Sequence, residues 1–243
     1  MSGAPQLLVV RDFLTPEELS LFKDFFENRC EWEQVAHADF TERQHYARDI
    51  TEFKGSPEYA DIYEAYERIA LRKKETLEGF FGETLAQPVN MALRKWVVGD
   101  YQSAHSDVGH PDGKLIIRPA AVETGPLSLH QYDVAAVLYF NDEFEGGEIY
   151  FPHFKKDINP EPGMFVAFPA SHHYLHGVAT VRSGARYVQT SFWPYSRTIV
   201  HNLVPQIPRD WWKRFANSSE ILDFLPEDVI SELDSDFLPP DYR

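Results

Sequence analysis

His105 and Asp107 stand one residue apart, and His172, His173 and His176 follow about seventy residues later. Two imidazoles and one carboxylate can hold one face of a divalent first-row metal and leave the opposite face open, the arrangement of non-haem Fe(II) sites. On an extended strand, side chains alternate, so His105 and Asp107 can share an ion while Ser106 faces away. The third ligand must arrive from a distant strand. His172, His173 and His176 all compete for that role, and spacing alone does not choose among them. An isolated His-x-Asp pair arises by chance in many proteins. Two histidines and an aspartate also suit zinc, but no general base for a zinc hydrolase sits at a motif-defined position.

The elements that must position these groups are legible on either side of them. Gln6 to Val10 reads as a strand. Thr15-Pro16-Glu17-Glu18 is a capping box with proline at the first helical position. Leu19, Phe22 and Phe26 then recur at helical spacing as a core-facing stripe. Residues 31–54 are mixed and polar; His37 and His45 among them are read as non-catalytic. Ser56-Pro57-Glu58 opens the longest helix, whose apolar period runs through Tyr59, Ile62, Tyr66, Ile69, Leu77 and Phe80 to a stop at Gly82. Its charged side (Glu64, Glu67, Arg68, Arg72, Lys73, Lys74) reads as solvated.

From Val89 the period changes to an extended one. Strands are expected at Met91–Val97, Val134–Phe140, Glu148–Phe151, Met164–Phe168, Tyr174–Ala179 and Arg186–Trp193, with turn signals between them. The spacing leaves no room for crossover helices and implies a sandwich or barrel. The segment from Val108 to Gln131 is long and carries Pro111, Gly113, Pro119, Gly125 and Pro126. Irregular loops of this length inside a domain are more often functional than accidental, and this one leaves directly from Asp107, so it is the expected substrate-covering lid. After Trp193 short helical pieces are expected, packed through Trp211, Trp212 and Phe215.

With 243 residues the chain suits one large domain and needs no staple to bury a core. The single cysteine, Cys30, allows no internal disulfide, and no apolar leader is evident, so a cytoplasmic location is the simplest expectation. No stretch is long and apolar enough to span a membrane. A net charge of −15 argues against a nucleic-acid partner, which would call for a basic stripe. Residues 217–243 carry eight acids against one base. That tail reads as a solvated face or as an attractor for a basic peptide.

An ordered set of motifs carries a further resemblance. Val137-Leu138-Tyr139-Phe140-Asn141-Asp142 is followed by Phe144-Glu145-Gly146-Gly147-Glu148-Ile149-Tyr150-Phe151-Pro152, then Pro162-Gly163, Phe168-Pro169, and His176 to Arg186. Over about residues 91–193 this resembles the catalytic core of the prolyl 4-hydroxylase-like Fe(II)/2-oxoglutarate-dependent dioxygenases. In that family the distal histidine is followed by valine at plus five, glycine at plus eight and lysine or arginine at plus ten. His176 meets these offsets with Val181, Gly184 and Arg186; His172 and His173 do not.

The resemblance implies that His105, Asp107 and His176 are the metal ligands and catalytic centre for Fe(II), that 2-oxoglutarate chelates two open positions, and that O2 takes the third. It implies that Arg186 holds the far carboxylate of the cosubstrate, a role a guanidinium suits because it grips carboxylate in a fork and stays charged when buried. A hydroxyl usually assists, with Thr190, Tyr101 and Tyr139 as candidates. The chain departs from the family at Trp96, where a tyrosine is frequent nine residues before the first histidine, and at Thr180, where proline is usual.

The implied fold is α+β and mainly β: a double-stranded β-helix (jelly-roll) core over residues 89–195, an N-terminal strand and supporting helices over 1–88, and an acidic extension with short C-terminal helices over 196–243. The implied activity is hydroxylation of an unactivated C–H bond, first of a prolyl residue in a peptide or protein, with release of succinate and CO2 and with ascorbate as reductant. The alternatives are a free amino acid or other small molecule as substrate, or a cupin-like metal-binding protein without turnover. Asp107 itself favours hydroxylation over halogenation, since related halogenases replace that carboxylate to admit chloride. The oligomeric state is left open.

Overall fold

The computed structural model describes residues 6–35, 45–107 and 133–196. The 108–131 loop, His37 and the C-terminal extension after Ser196 lie outside the described residues.

Strand β1 (Leu8–Val10) leads into helix α1 (Pro16–Asp24). The capping box forms as expected: Thr15 Oγ1 accepts from the Glu18 N–H, and the Glu18 carboxylate accepts the Thr15 N–H. Two of the donors that a first helical turn leaves orphaned are thereby satisfied. A π-helical turn (Phe25–Arg29) continues α1, and together they bury Phe22, Phe25 and Phe26. Strands β2 (Glu33–Val35) and β3 (His45–Asp49) follow. Helix α2 (Ala60–Phe81) begins a turn later than Ser56, because Pro57–Tyr59 forms a separate 3-10 turn and the Ser56 side chain caps nothing. It ends at Gly82 in the left-handed conformation, as the sequence expects.

The remaining elements are strands: β4 (Val89–Trp96), β5 (Gln102–His105), β6 (Val134–Tyr139), β7 (Phe144–Glu145), β8 (Ile149–Phe151), β9 (Lys156–Ile158), β10 (Phe165–Pro169), β11 (His176–Val178), β12 (Ser183–Gly184) and β13 (Arg186–Trp193). A seven-stranded sheet runs β1-β10-β6-β13-β4-β3-β2, and a four-stranded sheet runs β5-β11-β8-β9. Every pairing among them is antiparallel. The chain is therefore mainly β with few helices, as expected. No described helix is long and apolar enough to cross a membrane.

The larger sheet is covered on both sides. In β6, Val134, Ala136 and Leu138 join the core with the helices, while Ala135, Val137 and Tyr139 join a second core that includes Ile149, Phe151, Ile158 and Val178 of the smaller sheet. Strand alternation sends successive residues to opposite faces. With both faces packed, the strand reads as an unbroken apolar run, Val-Ala-Ala-Val-Leu-Tyr, and all six residues are buried.

The expectation that the charged side of α2 is solvated fails at Lys73, which is 1% exposed. Its ammonium bonds Gln189 and lies 3.5 Å from Ser191 Oγ, both on the helix-facing side of β13, and stands over the Phe165 ring. Burial without a countercharge pushes its pKa down from 10.5 to about 7. The folded protein thus binds fewer protons at this site than the unfolded chain between about pH 7 and 10.5. Stability gained from this difference is complete above the upper value and is lost as pH falls towards the lower one, with a slope of up to about 1.4 kcal/mol per pH unit. Urea unfolding of wild type and Lys73→Met across this window is expected to show a stability difference that varies with pH; a difference that is constant with pH would place the ammonium in solvent.

Candidate metal centre and cosubstrate pocket

The antiparallel pairing of β11 with β5 sets His176 opposite His105. The two rings stand 4.5 Å apart between centroids. Asp107, just beyond β5, completes the group: its Oδ1 is 3.5 Å from His105 Nε2 and its Oδ2 is 3.6 Å from His176 Nε2. The three ligand atoms lie within 4.8 Å of one another. His173, in contrast, is exposed in a 3-10 turn ahead of β11.

The tautomers are set by backbone carbonyls, which can only accept. His105 Nδ1 is 3.0 Å from the Ser103 oxygen and His176 Nδ1 is 3.1 Å from the Tyr174 oxygen, so each Nδ1 carries the proton and each Nε2 offers a lone pair towards Asp107. Burial among Phe151 and Phe168 lowers the His176 pKa and keeps the ring neutral, as a ligand must be. For Asp107 burial acts to raise the pKa, but His176, His105 and Arg94 together hold the carboxyl below its ordinary value. Burial acts to lower the His105 pKa but Asp107 raises it, so the two rings differ in their hold on a proton; the donor set, two imidazoles and one carboxylate, fits Fe(II).

A second site lies deeper between the sheets. Arg186, the first residue of β13, is 2% exposed. Its guanidinium carbon is 5.4 Å from the Trp96 ring centroid and 5.1 Å from that of Tyr139. Asn141 fixes the backbone on either side of it, donating to the Ala185 carbonyl at 2.8 Å and accepting the Tyr187 N–H at 2.9 Å. Gly147, at φ 68°, leaves room for its stem; a β-carbon there would lie 2.9 Å from Arg186 Cδ. Arg186 Nε and the Tyr139 hydroxyl are buried without a hydrogen-bond partner among the described residues. A buried cation beside an unsatisfied hydroxyl is a cradle for an anion, and a dicarboxylate cosubstrate fits it.

Of the three hydroxyls named from the sequence, Tyr139 alone is placed against Arg186. Thr190 shares the inward face of β13, as alternation requires, but its hydroxyl accepts Arg94 Nε at 3.1 Å. Tyr101 is half-buried ahead of β5 and makes no described contact with Arg186. Trp96, where the family often has tyrosine, offers a ring face in place of a hydroxyl. Arg94 was not evident from motif spacing. The signal was its parity with Trp96: a charged side chain two residues earlier on the same strand shares its inward face.

Residues 91–194 match the family described as the 2OG-Fe(II) oxygenase superfamily. Prolyl 3-hydroxylase 2 of Rattus norvegicus and of Homo sapiens are each 27% identical over 129 residues, covering 49% of this chain and 18% of the relative. The match thus spans less than a fifth of those proteins. Among solved structures, a viral collagen prolyl hydroxylase from Paramecium Bursaria Chlorella virus-1 superposes with TM-score 0.53 at 16% identity, over 78% of this chain and 96% of that one. A Pseudomonas putida prolyl-4-hydroxylase gives 0.52 at 18% identity over 79% and 94%. A Trichoplax adhaerens prolyl hydroxylase, solved with a hypoxia inducible factor peptide fragment, gives 0.52 at 12% over 80% and 86%. The two histidines, the aspartate and the buried arginine all lie within residues 91–194, the span that matches the 2OG-Fe(II) oxygenase superfamily.

Proposed function

We propose that this protein is an Fe(II)- and 2-oxoglutarate-dependent dioxygenase that hydroxylates an unactivated C–H bond of a prolyl residue in a peptide or protein, converting 2-oxoglutarate and O2 to succinate and CO2. The observation that carries the reading is the pairing of a three-ligand cluster with a fully buried arginine whose Nε has no hydrogen-bond partner among the described residues. A simple metal binder has no use for a cation that costs so much to bury. The prolyl substrate rests on the names of the similar proteins. Residues 89–195 are read as a double-stranded β-helix core, 1–88 as its support and 196–243 as an acidic helical extension.

His105, Asp107 and His176 would hold Fe(II), which when bound supplies the redox chemistry that couples decarboxylation to hydroxylation. Arg186 would grip the far carboxylate of 2-oxoglutarate in a charge-assisted fork, assisted by the Tyr139 hydroxyl. Trp96 walls the cation and keeps water from competing for it. Phe151 and Phe168 hold the His176 ring in the orientation its Tyr174 bond selects.

The test is succinate formation with Fe(II), ascorbate and 2-oxoglutarate, screened against proline-containing peptides and free amino acids. His176→Ala is expected to abolish succinate formation and to weaken Mn(II) binding, while His173→Ala retains both; equal losses in the two variants would remove His176 from the ligand set. Arg186→Ala is expected to raise the requirement for 2-oxoglutarate roughly a hundredfold, the equivalent of about 3 kcal/mol for an unpartnered buried carboxylate. An unchanged requirement would leave the deep cation without its role.

A further inference from the structure

The four-stranded sheet is interrupted beside the metal ligands. His176 pairs with His105 and Val178 with Gln102, so Gly177 alone on β11 stands against both Ser103 and Ala104 on β5. This is a β-bulge, and bulges bend a strand and re-aim its side chains. Here the extra residue decides where His105 points. Gln102 and His105 are three positions apart, and on an unbroken strand they would face opposite ways. With the extra residue, they stand against Val178 and His176, which share one face of β11.

The bulge also supplies the bond that fixes the His105 ring. Ser103, within it, carries the carbonyl oxygen 3.0 Å from His105 Nδ1. The direction of that carbonyl follows from the φ and ψ of Ser103, whose own N–H lies in one peptide plane with the Gln102 carbonyl. Whatever holds the Gln102 carbonyl therefore limits the aim of the His105 ring.

The group that reaches it is Tyr150. On β8, Ile149 and Phe151 enter the core between the sheets, and Tyr150 between them lies on the outer face, paired with Gly177. Its ring crosses the place that a side chain at 177 would take. A β-carbon there would run into Tyr150 Cζ and Oη and lie 2.6 Å from the Gln102 oxygen. The Tyr150 hydroxyl stands 3.4 Å from that same oxygen and donates to it. An aromatic ring that covers a glycine on a neighbouring strand is an ordinary way to restore packing. This one is set apart by its place: Gly177 follows one metal ligand, and the Gln102 carbonyl begins the bulge that leads to another.

We propose that Tyr150 is a positioning residue of the metal centre. Lying in the space left at Gly177, its hydroxyl holds the Gln102 carbonyl, sets the bulge at Ser103 and Ala104, and so aims His105 towards Asp107 and His176. The inference rests on the ligand set of the dioxygenase reading and adds to it a residue on the opposite face of the sheet.

The test uses the full chain and needs no turnover. Mn(II) dissociation constants are read by calorimetry, the ligand-field bands of the Co(II)-saturated protein by visible absorption, and stability by urea unfolding. Tyr150→Phe keeps the ring and removes the bond. It is expected to weaken Mn(II) binding about three- to tenfold, the range for one lost hydrogen bond, and to displace the Co(II) bands. Packing alone would lower the urea midpoint and leave the bands of the saturated site where they are. Unmoved bands, or Mn(II) affinity equal to wild type, overturn the proposal, and neither result depends on a variant that strains the backbone. Gly177→Ala is expected to cost more affinity than Tyr150→Phe, and the two changes together no more than Gly177→Ala alone, because the hydroxyl is already displaced; additive losses would overturn the linkage. Wild-type binding separates the two levels. If the wild type binds both ions and Tyr150→Phe matches it, this inference alone fails; if the wild type binds neither, the metal centre of the dioxygenase reading fails with it.

Discussion

Strand β13 is buried on both faces and carries polar chemistry on each, and the structure depends on keeping those faces apart. Arg186, Val188, Thr190 and Phe192 alternate towards the smaller sheet, and Tyr187, Gln189, Ser191 and Trp193 towards the helices. A slip of one residue would exchange the two sets. It would place Arg186 among the aromatic side chains under α1 and bring the Gln189 amide into the space between the sheets. Register is therefore specified by polar mismatch as well as by volume. Pairing with β4 and β6 along nearly the whole strand fixes it from both sides.

A charged arginine held between two sheets is costly unless the surroundings are shaped for it. Each adjustment around Arg186 is traceable to a particular residue. Asn141 ties the backbone before and after it, Gly147 vacates the volume its stem needs, and the rings of Trp96 and Tyr139 face its guanidinium. The motif Tyr-Phe-Asn-Asp and the Gly-Gly that follows thus contribute to one task although they lie on different elements. They are the supports of a cation that comes some forty residues later. Removing a support leaves the cation in place but misaimed, which in a buried fork is nearly as damaging as losing it.

How much of this was legible in the sequence depended on whether a local rule or a tertiary one decided the outcome. The capping box at Thr15, the stop at Gly82 and the strands that hold His176 and Arg186 follow from local signals and stand where the sequence places them, whereas the four-residue strand β5 that ends at His105 is absent from the expected strands. The choice of His176 over His173 needed the family offsets, because it is the antiparallel register of β11 on β5 that faces His176 with His105. Lys73 defeated a helical-wheel reading since its long stem reaches across the core to Gln189, a partner more than a hundred positions away. Short strands such as β7, β9 and β12 were missed because two or three residues carry no period. Arg94 sits at no motif offset, and only its parity with Trp96 marks the face it occupies.

The electrostatic design separates what the surface and the interior ask for. The chain carries a formal charge of −15, yet Arg186 is buried on one face of its larger sheet and Lys73 of α2 against the other. Surface acids act through water and salt and are screened within about 8–10 Å under ordinary ionic conditions. The interior cations act through protein and are not. An anion therefore meets repulsion only from surface acids within about that distance, and selection is left to groups inside the cleft. Lys73 takes no part in that selection: it projects from α2 onto the helix-facing side of β13, and with a pKa near 7 it sheds its charge where Arg186 cannot. A lysine could not replace Arg186 on the inner face without the same loss, because a guanidinium keeps its charge when buried and an ammonium does not.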